Sequence, residues 1–309
     1  MKKIHSFFSY AGTKYRLLDF LQEHIKFNRF DQTWIEPFAG SCVTAFNFRP
    51  RFARLNDINK QLILFWNCFR KWKQSDDYLI KIIEDKLIPN LKERHGEYYY
   101  ELRKEVNEQW EKINKEGRFE QILDDEFFPQ QDVYELCAKF LFLTQSSFSH
   151  QLRYNNQGGL NMAYSKFEYL LNEATIKGLY DKAKELRDLL SDSTFQFTAY
   201  DWRVFLSKLK EEKKKQKLED EDCFIYADPP YVGTNQDYIE RGFNAQDQAD
   251  LLKNLEELGY DFAISGSCNV EDDEKIIELY KDHRVVFKEY NYNLNSKGQR
   301  KVNEFLILR

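Results

Sequence analysis

Residues 224–231 read Phe224-Ile225-Tyr226-Ala227-Asp228-Pro229-Pro230-Tyr231. The run Cys223–Ala227 has the length and the β-branched and aromatic content of a buried strand. Two prolines then end it, because neither can donate to a ladder and each fixes its own φ. In an open α/β sheet, ligands bind at this carboxyl edge. The edge offers a carboxylate (Asp228), a carbonyl made rigid by Pro229 and Pro230, and an aromatic face (Tyr231). Two acceptors beside a stacking ring suit an exocyclic amino group on a flat heterocycle. Taken alone, the stretch also fits a strand followed by a tight turn with a solvated Asp.

Upstream, Thr33-Trp34-Ile35-Glu36 reads as a strand, Pro37-Phe38-Ala39-Gly40-Ser41 as a turn, and Cys42 to Phe48 as a helix start. Strand, glycine turn and helix N-terminus together cradle a nucleotide-like cofactor. Phe52 to Asp57 is a second short strand ending in an acid. An acid roughly 20 residues past such a turn is the usual acceptor for ribose hydroxyls, and Asp57 fits that place. It equally fits as the N-cap of a helix beginning at Ile58.

With these blocks in hand, the chain resembles the Dam-type (alpha-group) adenine-specific DNA methyltransferases. Tyr10-Ala11-Gly12-Thr13-Lys14-Tyr15-Arg16 looks like the N-terminal block, Glu36–Ser41 like the main cofactor loop, and Asn56-Asp57-Ile58-Asn59 like the ribose block. Arg153-Tyr154-Asn155, with Gly158, Gly159 and Asn161, resembles the DNA-recognition hairpin, and Asp228–Tyr231 the catalytic block. Weaker matches are Tyr99, Tyr100, Leu102, Arg103 and Asn107, and a final strand within Arg300–Ile307. Two departures stand out. Cys42 occupies a place where such loops carry another glycine, and Gln145–His150 lacks the Asn-Gly pair of typical members.

The resemblance implies a Rossmann-like sheet that binds S-adenosylmethionine, with an inserted, mostly helical target-recognition domain. It implies that Tyr10, Lys14, Glu36, Pro37, Phe38, Ala39, Gly40, Ser41 and Asp57 hold the cofactor. Asp201 and Trp202, expected to end the strand beside the catalytic one, could bind its adenine; Asp201 also fits as the cap of a helix at 203–210. Arg153, Tyr154 and Asn155 would contact duplex DNA. Asp228, Pro229, Pro230 and Tyr231 would act on the 6-amino group of an adenine flipped from the duplex; the block also fits cytosine's amino group or RNA, and a DNA-binding regulator without catalysis is the reading from another class. A role beside a cognate restriction endonuclease and a role as a solitary methylase both fit, and the cytoplasm of a bacterium or archaeon, or a phage-encoded setting, is the expected location.

The chain's 309 residues can hold a full α/β core and a second lobe. Its net charge of −5 does not favour nucleic acid. Local charge differs: Arg203 to Lys217 holds seven basic residues against two Glu, and either a phosphate track or a solvated face fits that run. The cysteines (Cys42, Cys68, Cys137, Cys223, Cys268) form no C-x-x-C pair and read as reduced thiols, and no metal-ligand spacing is seen among the histidines. No apolar run has the length of a signal peptide or membrane helix.

Helical character is expected over about 60–110, 134–148, 167–189 and 245–258, and a hairpin tip at Asn155–Gly159. Further strands are expected at Phe195–Tyr200, Tyr260–Ser265, Val285–Tyr290 and Asn303–Leu308, the last two as an antiparallel pair. The organisation follows: residues 1–64 and 166–309 form the catalytic domain, and 65–165 the target-recognition domain.

Overall fold

The structure is a computed structural model that describes residues 2–10, 12–71, 78–123, 131–167, 170, 172–191, 193–215, 223–230, 243–269, 273–294 and 298–309. The chain opens with a 3-10 turn (Lys14–Leu17), α1 (Leu18–His24), β1 (Thr33–Glu36), α2 (Val43–Phe48), β2 (Phe52–Asn56) and α3 (Lys60–Lys71). A run of helices follows: α4 (Tyr78–Ile82), a π turn (Ile83–Leu87), α5 (Ile88–Lys115), α6 (Phe119–Leu123), α7 (Gln131–Gln145) and α8 (Glu173–Ser191). The sheet then resumes with β3 (Thr194–Thr198), α9 (Trp202–Lys214), β4 (Cys223–Ala227), α10 (Ala245–Leu258) and β5 (Asp261–Asn269). It closes with α11 (Asp273–Leu279), β6 (Arg284–Leu294) and β7 (Gly298–Leu308).

The strands form one sheet in the order β3-β2-β1-β4-β5-β7-β6. β3 through β5 run parallel, and β7 is inserted antiparallel between β5 and β6. A parallel sheet must be covered on both faces, and all five residues of β4 are buried. On one face, α9 and α10 pack Phe205, Leu206, Leu209, Leu251 and Leu255 with Ile35, Ile225, Phe262 and Ile264. On the other, Trp34 stacks on Phe224 (5.5 Å) and Tyr226 (5.7 Å). That second core is continuous through α2 and α3 into α5, α7 and α8. Since every residue from Gln61 to Phe69 is buried, α3 is enclosed all round rather than on one stripe. The expected domain boundary at 64/65 falls inside it.

The winding of the chain reverses between β1 and β4, which leaves a crevice at their carboxyl ends. This order corrects one expectation. β3, which leads to Asp201 and Trp202, is the sheet's edge strand, with β2 and β1 standing between it and β4. The cause is the long α9 connection, which carries the chain back over the sheet to the far side of β1. The elements also differ from the reading in extent. β5 continues past Ser265 because β7 keeps pairing with it, as far as Asn269↔Val302. The β6–β7 ribbon is paired out to Leu294↔Gly298, through polar sequence that does not read as strand. The last helix before β3 begins at Glu173, where Asn172 accepts from the Ala174 N–H (2.8 Å). No helix among the described residues is long and apolar enough to cross a membrane.

Candidate active site

Side chains alternate along a strand, so Trp34 and Glu36 share a face, as do Phe224, Tyr226 and, just past the strand, Asp228. Lys14, from the turn before α1, reaches this face. Its ammonium lies 2.7 Å from Asp228 Oδ1 and donates to the Gly12 carbonyl at 3.1 Å. Lys14 is only 3 % exposed, so this ion pair is little screened. The expectation placed Lys14 on the cofactor; here it bonds the carboxylate. Ser265, in the middle of β5, donates to the same Oδ1 at 2.8 Å. Its Oγ is 2.9 Å from the Tyr226 hydroxyl. Neither Ser265 nor Tyr226 carries a motif signal, because both lie inside strands and register alone brings them together. Gly266 follows for a steric reason: a Cβ there would lie 2.2 Å from Phe305 Cζ on β7.

Beneath Asp228, Glu36 is buried and accepts from the Trp34 indole N–H (2.6 Å). Burial pushes its carboxyl up to about 8, the Trp34 bond acts against the shift, and the nearby charge of Asp228 adds to it. Burial likewise pushes the Tyr226 phenol well above its ordinary range.

The expected cofactor loop is held by the carboxyl ends of β2 and β3. Asn56 is fully buried, and its amide donates to the carbonyls of Pro37 (3.0 Å) and Tyr200 (2.9 Å). Its oxygen accepts from Thr198 Oγ1 and from the Tyr200 N–H, both at 2.9 Å. One side chain thus clamps the loops after β1 and β3. Asp57 accepts from the backbone N–H of Gly40 (2.8 Å) and of Asn59 (2.9 Å). It does not cap a helix at Ile58. The helix starts at Lys60, and Asn59 accepts from the Leu62 N–H at 3.1 Å. Burial raises the Asp57 carboxyl, and the two backbone bonds oppose the rise.

Gly40 has φ 48°, and the Tyr10 ring lies over it, with Cδ1 3.3 Å from where a Cβ would sit. Ala39 and Ser41 are buried in the same loop. Cys42 also has a left-handed backbone (φ 60°), which explains why glycine suits this place. Its thiol is buried beneath the loop, 3.8 Å from the Gly40 carbonyl. On the opposite face, Phe38, Trp202 and Phe243 form an aromatic group with centroids 6.1–6.3 Å apart. Asp201 caps α9, accepting from the Arg203 N–H at 2.8 Å. Trp202 therefore borders the loop despite belonging to the edge strand's connection.

The Arg153–Asn155 segment forms one arm of a hairpin. Asn155 N–H donates to the Gly159 carbonyl (2.8 Å) and Asn161 N–H to the Arg153 carbonyl (2.9 Å). The Asn155 side-chain oxygen accepts from the N–H groups of Gln157 (3.0 Å) and Gly159 (2.9 Å), which shapes the tip. Arg153 and Asn155 are exposed and line a polar hollow of about 600 Å³. Tyr154 is a correction: it is 6 % exposed, and its hydroxyl bonds Asn59, 2.9 Å from Nδ2. That bond locks the hairpin to the end of β2, so the ring packs in the core instead of facing a duplex. The weaker matches on α5 brace the same hairpin: Asn107 bonds both backbone groups of Leu160, and Tyr99 and Arg103 donate to the Met162 carbonyl. His150, where an Asn-Gly pair was missing, takes the left-handed conformation itself (φ 53°). The basic run on α9 is partly consumed by α10, since Lys210 bonds Asn254 and Glu257 and Lys213 bonds the Leu258 carbonyl.

Pro229 is buried and Pro230 partly so. Tyr231, the fourth residue expected in the catalytic block, lies outside the described residues.

A family model described as D12 class N6 adenine-specific DNA methyltransferase matches residues 10–294. A Type II methyltransferase of Lactococcus lactis subsp. cremoris, M1.LlaDCHI, is 24% identical, with 98% of this chain and 95% of the relative covered. Type II methyltransferase M.MjaIII of Methanocaldococcus jannaschii is 25% identical, with 99% of each chain covered. The DNA adenine methylase of Escherichia coli (strain K12) is 24% identical, with 100% of this chain and 96% of the relative covered.

Proposed function

We propose, from the premise that the chain belongs to the D12 class N6 adenine-specific DNA methyltransferases, that the crevice between β1 and β4 is where the methyl group passes from S-adenosylmethionine to the amino group of adenine. The observation that carries this assignment is the half-buried Asp228 carboxylate, fixed by Lys14 and Ser265 at the switch point of the sheet. An adenine amino group inside a duplex is out of reach, so the base is flipped into the crevice. Its N–H bonds then point to Asp228 and to the Pro229 carbonyl, with Tyr231 as the stacking surface. Conjugation draws the nitrogen lone pair into the ring; two acceptors favour the pyramidal form, whose lone pair can point at the sulfonium methyl. Positive charge grows on that nitrogen during transfer, and a fixed carboxylate stabilises it. The remaining contribution is in-line alignment of donor and acceptor.

The donor fits the loop over Gly40. Phe38 and Trp202 supply an aromatic slot for its adenine, and Asp57, with Asp201 near by, supplies acceptors for hydroxyl and amino groups. Tyr10 covers the loop, and Glu36, Pro37, Ala39 and Ser41 form its floor. Arg153 and Asn155, at the hairpin's polar hollow, are the proposed contacts to duplex DNA, since Arg pairs with guanine or phosphate and Asn with adenine. Residues 65–165 are the proposed recognition unit. A restriction endonuclease sharing the target sequence is the proposed second partner, and the cytoplasm the proposed location.

The test is incubation with tritiated S-adenosylmethionine and unmethylated genomic DNA, followed by base-resolution mapping. Label in 6-methyladenine at one short motif is the expected result; its loss in Asp228→Ala with cofactor still bound assigns the carboxylate. Near-wild-type turnover of Asp228→Ala would remove the assignment. Arg153→Ala is expected to weaken specific DNA binding by about 1–3 kcal/mol and relax one position of the site.

A further inference from the structure

We propose that Ser265, backed by Tyr226 and joined by Lys14, is a positioning residue that occupies Oδ1 of Asp228 so that Oδ2 alone is presented to the reacting amino group. The inference rests on the reading of Asp228 given above. An ionised carboxylate is acceptor-only, so in the 2.8 Å contact the Ser265 hydroxyl must be the donor. A serine has one proton. In the 2.9 Å contact with Tyr226, the tyrosine must therefore be the donor. The direction of the chain is fixed: Tyr226 to Ser265 to Asp228. Tyr226 is 1 % exposed, and burial keeps its phenol protonated, as a donor needs to be.

Lys14 delivers a second donor to the same Oδ1 at 2.7 Å. Both donors converge on one oxygen from different elements, the turn before α1 and the centre of β5. A carboxylate free to rotate would offer either oxygen in turn. Here one oxygen is saturated and the torsion is set before substrate arrives, which is the preorganisation that lowers a barrier without adding contacts to the ground state. Tyr226 on β4 is paired with Ala263 on β5, and Ser265, two residues further along β5, presents its side chain on the same face; the neighbouring Gly266 lets the Phe305 ring press against β5.

Single-turnover methyl transfer on target DNA tests this, alongside dissociation constants for S-adenosylmethionine and for DNA. Ser265→Ala is expected to slow transfer about 10- to 100-fold, the loss expected for a hydrogen bond to a charged group, with both dissociation constants within about twofold of wild type. Ser265→Thr, which keeps the hydroxyl, restores most of the rate. Tyr226→Phe slows transfer about 3- to 10-fold alone. Added to Ser265→Ala it slows transfer no further, because it acts only through Ser265. A wild-type rate in Ser265→Ala, or losses that multiply in the double variant, overturns the proposal. Should Ser265→Ala fail to fold, Ser265→Thr and Tyr226→Phe carry the test, and equal rates for Tyr226→Phe and wild type then overturn it. Asp228→Asn separates the two readings: if it is inactive while Ser265→Ala is unimpaired, only the positioning role falls, whereas an active Asp228→Asn removes the reading of the site itself.

Discussion

Replacing Glu36 by Gln asks whether the carboxyl at the base of the crevice is neutral in the folded protein. Its ordinary value is 4.5, and burial lifts it to about 8. Below the lower value the group is protonated in both the folded and unfolded chain and contributes no pH dependence. As pH rises from there, the unfolded chain releases a proton that the folded chain retains, so folding stability falls. The slope is about 1.4 kcal/mol per pH unit until the folded group itself ionises. From about pH 5 to about pH 7.5 the loss comes to about 3 kcal/mol. Gln cannot titrate but keeps an oxygen for the Trp34 indole. The variant should therefore gain on wild type by that amount across the window, while other titrating groups, Asp57 among them, contribute equally to both and cancel. Urea unfolding at several pH values, extrapolated linearly to water, measures the difference. Parallel stability profiles for the two proteins would refute the reasoning, since they would mean that Glu36 ionises on folding as readily as in the unfolded chain.

Three further substitutions probe the scaffold. Asn56→Ala removes a buried side chain that makes four hydrogen bonds between two loops. It should cost about 2–4 kcal/mol of unfolding free energy, and a loss below about 0.5 kcal/mol would show that the clamp is not structural. Gly40→Ala places a Cβ at a left-handed residue and against the Tyr10 ring, a strain of about 1–2 kcal/mol. Calorimetry should show S-adenosylmethionine binding weakened by about 10-fold, and unchanged affinity would remove Tyr10 and Gly40 from the cofactor's surroundings. Gly266→Ala should lower the melting temperature because its Cβ collides with Phe305, and Phe305→Leu in the same chain should recover part of the loss. An unchanged melting temperature for the single variant would show that β7 yields to the new methyl group.

The parts of this protein that are local in sequence were legible there. Cys223–Ala227 and Thr33–Glu36 coincide with β4 and β1, and α10 spans Ala245–Leu258 as its apolar spacing indicates. Each is set by short-range pattern and by residues that stop an element, as Pro229 and Pro230 do after β4. The hairpin tip at Asn155–Gly159 is likewise a matter of local turn chemistry, with the Asn155 oxygen closing it.

What only the tertiary structure decided is which distant residues meet. Sequence placed Asp201 beside the catalytic strand, but strand order is a property of the crossovers, and β3 lies at the edge. Tyr154 was read with its neighbours as a DNA contact, yet a residue's side of a hairpin depends on what the hairpin packs against, and Asn59 holds this one inward. Lys14 and Asp228 are far apart in the chain and Ser265 further still. Their convergence on one carboxylate oxygen depends on the register between β4 and β5 and on the turn before α1 docking against the sheet. Spacing along a chain fixes the period of an element and the residues that end it. The pairing of strands and the docking of loops are fixed by burial summed over the whole sheet, a quantity no single segment contains.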